Sequence, residues 1–174
     1  MTGQDRPAPA VGWAQFQEAE SSFAAAVEAR FAQYKHQVLA TLREDGSPRV
    51  TGLEVEFQAG EMWLGMMPGS MKARDLRRDP RFAMQANPGP DAEMADGDVR
   101  ISGRAVEVTD PAVMARFASL VAPPEPFHLF RAELTEVVRT DVEDDELVVR
   151  VWRPGAALRV LRRGNGDEGV REDA

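Results

Sequence analysis

Cysteine is absent from the 174 residues of this chain, which removes disulfides, thiolate metal ligands and cysteine nucleophiles from consideration. Histidine is nearly absent. His36 and His128 are the only two, too few to build a metal site from imidazoles alone. Positive charge is also short, with 21 Lys and Arg against 29 Asp and Glu and a net charge of −8. That balance argues against general nucleic-acid or anionic-membrane binding. No apolar run approaches the roughly 20 residues of a membrane span. The N-terminal residues lack the charged-then-apolar layout of a secretion signal, so a cytoplasmic location is expected. Lysine itself is rare: Lys35 and Lys72 stand against nineteen arginines. That looks like a coding bias, and it makes Lys72 conspicuous.

What is present suits one globular domain with a sizeable core, since 43% of the residues are hydrophobic. Residues 1–11, rich in Pro and Ala, are expected to be disordered. Residues 12–161 read as a single domain and residues 162–174 as a flexible charged tail. The domain opens with an amphipathic helix carrying Trp13, Phe16, Phe23, Val27, Phe31 and Tyr34 on one stripe, which predicts packing against a sheet. From residue 36 the periodicity shifts towards two. Strands are predicted over residues 36–43, 49–57, 62–66, 81–86, 98–108, 127–140 and 146–152, separated by short turns. A loop is expected over residues 87–97. Residues 111–121 read as a second short helix capped by Asp110 or Thr109. In the strand over residues 98–108, Val99 and Ile101 have one parity and Val106 and Val108 the other. Gly103 stands between them, which predicts a bulge or sharp bend. About seven strands with short turns and few helices describe an α+β, mainly antiparallel fold, a closed or split β-barrel with an N-terminal helix and short connecting helices.

The most informative stretch is residues 65–80. It reads as a strand end at Gly65 and Met66, a glycine turn, and a short helix that Ser70 can cap and Asp79-Pro80 closes. Between Ser70 and Arg81 stand Lys72, Arg74, Arg77, Arg78 and Arg81 against Asp75 and Asp79, a local charge of +3 in a chain of −8. A cationic island at a helix N-terminus is what a bound phosphate requires.

Residues 39–50, 65–80 and 99–107, in that order, resemble the pyridoxamine 5′-phosphate oxidase-like superfamily of flavin- and deazaflavin-binding split β-barrels, and the likeness extends over about residues 36–155. The resemblance implies a homodimer with two cofactor sites at the subunit interface. It implies cofactor contacts at Arg49, Val50, Thr51 and Gly52 on the second strand, where a glycine lets a planar ring approach the backbone. Further contacts are implied at Gly65 and Met66, and phosphate binding at Ser70, Lys72 and Arg74. Trp152 answers the tryptophan of the oxidase's C-terminal substrate signature, but no arginine-histidine pair follows it, which speaks against genuine pyridoxamine-phosphate oxidation. Met71 stands where the oxidase pattern has an arginine, and Asp98 where a glutamine is usual.

The expected activity is that of an FMN-dependent oxidoreductase acting on a small organic substrate. F420 is the alternative cofactor, and a barrel that stores or carries flavin or haem is the non-enzymatic alternative. A cofactor-free scaffold is the plainest reading. No Ser-His-Asp set or paired catalytic carboxylates emerge, which fits chemistry that resides in a cofactor. Arg77, Arg78 and Arg81 are expected to face solvent or pair with Asp75 and Asp79. His128 reads either as an edge or interface histidine or as a site residue. The run Met62, Met66, Met67 and Met71 reads as core filling or as an apolar wall for a ring.

Overall fold

The computed structural model describes residues 9–90, 97–167 and 169–173. The first eight residues and most of the second half of the loop expected over residues 87–97 lie outside them. The chain runs α1 (Trp13–Ala19), α2 (Ser21–Ala32), β1 (Gln37–Leu42), β2 (Pro48–Leu53), β3 (Val55–Gln58), β4 (Glu61–Met66), α3 (Met71–Arg78), β5 (Arg81–Gln85), β6 (Asp98–Val108), α4 (Pro111–Val121), β7 (His128–Glu143), β8 (Glu146–Trp152), β9 (Arg159–Arg163) and β10 (Arg171–Glu172). Every ladder is antiparallel. None of the described helices is long and apolar enough to cross a membrane.

The strands follow the order β10-β9-β8-β7-β6-β5-β1-β2, and β4 joins from β7 with β3 beyond it. The 16-residue β7 makes this possible. Its first part pairs with β4 and its last part with β8 on one edge, while β6 follows the other edge. β2 and β3 are consecutive in the chain, separated by Glu54, yet share no ladder. The barrel β3-β4-β7-β6-β5-β1-β2 is therefore split at that point, so the α+β, mainly antiparallel split barrel of the sequence reading is the observed fold. The expected single strand over residues 49–57 is two strands because the chain turns at Glu54 from one edge of the split to the other.

Alternation along the strands builds two cores. Leu39, Leu53, Leu64, Met84, Ile101 and Phe130 point into the barrel, and α1 and α2 add Trp13, Phe16, Phe23, Val27 and Phe31 to the same core. A smaller cluster, Trp63, Phe117 and Leu129, sits outside the barrel beneath α4. This second core explains the parity change in β6. Val99, Ile101, Gly103 and Ala105 all face inward without a slip, and Val108 faces α4. The bulge itself lies on β7. Ser102 pairs with Glu136 and Gly103 with Leu134, so Thr135 is the extra residue and the inward parity of β7 changes there.

Three expectations are corrected. The N-terminal helix is two helices, because Glu20 adopts φ −141°, ψ 66° between them. The turn brings Phe23 edge-on to Phe16 with ring centroids 5.7 Å apart. Residues 9–11 are not wholly without structure, since Val11 bridges to Leu134. The sheet does not end at Arg153: β9 and β10 continue it through the segment read as a loose tail. The charges there are ion pairs, Arg159–Glu172 at 2.7 Å and Arg162–Asp173 at 2.8 Å, and such partners are invisible until the strands are laid side by side.

Candidate functional site

The face built around α3 begins with its turn. The Ser70 N–H donates to Met67 O at 3.2 Å, and Gly69 has φ +67°. With Pro68 ahead of it, this is a type II turn, which needs a residue tolerant of positive φ at Gly69. Ser70 takes the N-cap position of α3, but its side chain makes no capping bond. Its Oγ is buried without a partner, which corrects the expected cap.

α3 is tied to the β1–β2 hairpin at two points. The first is Asp75, buried at 1% exposure. It accepts from Thr41 Oγ1 at 2.9 Å, Arg49 Nε at 2.6 Å and Arg78 Nη2 at 3.1 Å. Burial pushes the Asp75 carboxyl up, but the hydrogen bonds from Arg49, Thr41 and Arg78 outweigh it and hold the group below its ordinary value. The second is Lys72, whose Nζ donates to Gly52 O at 2.6 Å. Burial alone pushes this ammonium below the usual lysine value. A half-buried ammonium with a carbonyl for company is receptive to an anion.

These contacts place the site residues of the sequence reading. Arg49 and Thr51 share the inner side of β2 with Leu53, and Val50 and Gly52 face outward. Arg49 is thus spent on Asp75 beneath α3. Thr51 Oγ1 is buried and, like Ser70 Oγ, has no partner. Gly52 and Gly65 have no positive φ, and an added Cβ on either would meet nothing within 4 Å. Arg74 is exposed. Met66 is buried in the core, as is Met62, whereas Met67 and Met71 are exposed. Core filling thus holds for Met62 and Met66 and not for Met67 and Met71. Trp152 is not brought to this face. It is buried in the core against Phe16, with ring centroids 4.5 Å apart.

The cationic island is smaller than the sequence suggests. Arg49 and Arg78 hold Asp75, Arg81 holds Asp79, and Arg77 holds Glu107 with Nε–Oε2 at 2.8 Å. Arg77 thus pairs with β6 rather than with the acids of its own helix. Among the described residues, Lys72 and Arg74 are the cations of this segment without a carboxylate partner. Sequence reasoning expected the Arg78–Asp75 pair but missed Arg49 as a partner of Asp75, Glu107, and the contact between Gly69 and His128, whose Nε2 accepts the Gly69 N–H at 3.3 Å. Two surface cavities, of about 270 and 360 Å³, open elsewhere, beside Gln15 and Glu61 and beside Arg81 and Thr135.

Residues 23–141 match the family model described as pyridoxamine 5′-phosphate oxidase, and the chain belongs to that family. No curated protein matches the sequence. Among solved structures, a conserved hypothetical protein from Mycobacterium tuberculosis is 24% identical with a TM-score of 0.56, over 70% of this chain and 84% of that one. A general stress protein 26-related protein from Clostridium acetobutylicum, of the pyridoxinephosphate oxidase family, is 10% identical with a TM-score of 0.57, over 78% and 96%. The heme storage protein HutZ from Vibrio cholerae is 16% identical with a TM-score of 0.51, over 67% and 89%. At these identities the likeness is one of fold.

Proposed function

We propose that this chain is a flavin-dependent oxidoreductase that holds FMN against α3 and β2 at the interface of two copies of itself. Its partner in reaction is a small organic molecule. The observation that carries this reading is the pair of buried hydroxyls without a partner among the described residues, Thr51 Oγ1 and Ser70 Oγ, which neighbour Gly52 and Lys72 in sequence, the two residues linked by the Lys72 Nζ–Gly52 O bond. Buried hydroxyls normally find partners, and two orphans on residues neighbouring an ammonium that has no carboxylate partner among the described residues suit a phosphorylated ligand. FMN, when bound, supplies the ring that accepts or donates hydride. The chain's own part is to hold phosphate with Ser70, Lys72 and the first turn of α3, and to leave Gly52 and Gly65 bare for close approach. Arg74 is a further cation available to the phosphate. No side chain is assigned a proton-transfer role.

FMN is favoured over F420 because the longer anionic tail of F420 calls for a broad basic groove, and four of the local arginines are already held by carboxylates. Haem is disfavoured because His128 Nε2 is engaged by Gly69 and His36 lies 3.3 Å from Glu54. Met71, at the place of the oxidase arginine, is exposed and leaves that phosphate contact unfilled. Lys72→Ala is expected to weaken FMN binding by about 1–3 kcal/mol, the scale of a charge-assisted hydrogen bond. Titration followed by flavin fluorescence measures it, and unchanged affinity would remove Lys72 from the site.

A second copy has a surface to occupy. On the outer face of the barrel, Val50, Ala40, Ala83 and Ser102 lie in one row across β2, β1, β5 and β6. Val50 is 67% exposed and Val38, beside Gly52 in the ladder, 37%. A row of small, mostly apolar side chains next to the candidate ring position fits a self-complementary contact better than it fits water. Val50→Glu is expected to yield a monomer in sedimentation and to lose FMN binding with it. A dimer of unchanged affinity would place the contact elsewhere.

A further inference from the structure

His128 is absorbed by neither the core nor the flavin reading, yet it sits between three functional elements. It opens β7 opposite Met66 at the end of β4. Its Nε2 accepts the N–H of Gly69 at 3.3 Å. Its Nδ1 lies 3.0 Å from Arg77 Nη2 of α3 and 3.8 Å from Glu107 Oε1 of β6. The ring is partly shielded, at 25% side-chain exposure. Because Gly69 donates, Nε2 accepts through its lone pair, and Arg77 Nη2, itself only a donor, also lies 3.4 Å from that nitrogen.

The Gly69 N–H belongs to the central peptide of the Met67–Ser70 turn. That peptide is what distinguishes type II from type I: it flips by about 180° between them, reversing its N–H and C=O. An acceptor fixed at Nε2 selects the type II form. We propose that His128 is a positioning residue for the phosphate site, holding the Pro68–Gly69 peptide so that Ser70 and Lys72 are presented on one face. This rests on the phosphate reading of that site. Without that acceptor the peptide is free to turn over, and phosphate binding weakens.

Two measurements test this. In amide NMR of the cofactor-free full chain, the Gly69 resonance should shift in His128→Phe and return towards its wild-type position in His128→Gln, which keeps an acceptor. A Gly69 amide indifferent to both substitutions would overturn the proposal while leaving FMN binding intact. In ligand titrations, His128→Phe should weaken FMN binding by about 3- to 10-fold and leave riboflavin, which has no phosphate, unchanged. His128→Gln should restore FMN affinity. Equal losses for FMN and riboflavin would mean a merely structural role and overturn it. Failure of the wild-type chain to bind FMN at all would sink the flavin reading and the phosphate role of His128 together.

Discussion

Asp75→Ala is expected to destabilise the protein by about 3–5 kcal/mol, the scale of breaking a buried ion pair from one side. Asp75 is 1% exposed and serves three donors at once, from β1, β2 and its own helix. Their losses differ. Arg78 keeps a bond to Leu42 O at 2.6 Å and has a side chain 39% exposed, so water can take over. Arg49 is 19% exposed and would be left charged beneath α3. Asp75→Ala combined with Arg49→Met should recover part of the loss, because the stranded charge is removed with its partner. Urea unfolding of the two variants measures both effects, and a single-variant loss under about 1 kcal/mol would show that the network is not what holds α3.

The same carboxyl carries a pH signature. Its folded value lies below the ordinary 3.8, so the unfolded chain takes up the proton first as pH falls. The stabilisation is complete above the ordinary value and is lost as pH drops through the folded one. Asp75→Ala should therefore flatten the acid limb of the stability curve. It should also weaken FMN binding at neutral pH, since the phosphate residues ride on the helix that Asp75 anchors.

Gly103→Ala is the second large effect, expected at about 3 kcal/mol, the upper end of the range for overpacking a filled interior. Gly103 has no positive φ, so the usual conformational argument does not apply. The reason is proximity. A Cβ there would overlap the carbonyl oxygen of Glu133 and lie 3.1 Å from Phe82 Cε1. The Phe82 ring can give, but the Glu133 carbonyl is backbone held beside the β7 bulge and cannot move without disturbing the β6–β7 register. Gly52→Ala is the control. Its Cβ meets nothing within 4 Å, so the fold should tolerate it. Thermal unfolding separates the two, and equal melting temperatures would show that β6 has room at Gly103.

Much of the fold was legible because its signals are local. Proline and glycine mark turns wherever they fall, and period-two alternation exposed most of the barrel strands. Helix α4 was readable from Asp110 and Pro111, and Asp110 Oδ1 does accept from Ala112 N at 2.8 Å. The extra strands β9 and β10 were not legible, since they are short and charged on the faces where they pair with each other. The bulge was sensed at Gly103 but placed on the wrong strand. A glycine reports that backbone approaches it, not which partner carries the surplus residue. At the candidate site, the turn, the helix and the family pattern singled out Ser70, Lys72 and Gly52, and the fold joins the last two through the Lys72 Nζ–Gly52 O bond. The partners of the arginines were not, because Arg49 and Asp75 are 26 residues apart and Arg77 and Glu107 are 30 apart.

Composition and periodicity by themselves determined that this chain makes an antiparallel barrel with a cationic helix following the strand that ends at Gly65 and Met66, because side-chain alternation and turn chemistry act over a few residues. Tertiary structure alone decided which cations remain free. Charge neutralisation falls off over a few ångströms, and only the folded chain sets which carboxylate lies that close. Among the described residues it left Lys72 and Arg74 without acidic partners, and it set Arg49 on the buried carboxylate of the helix.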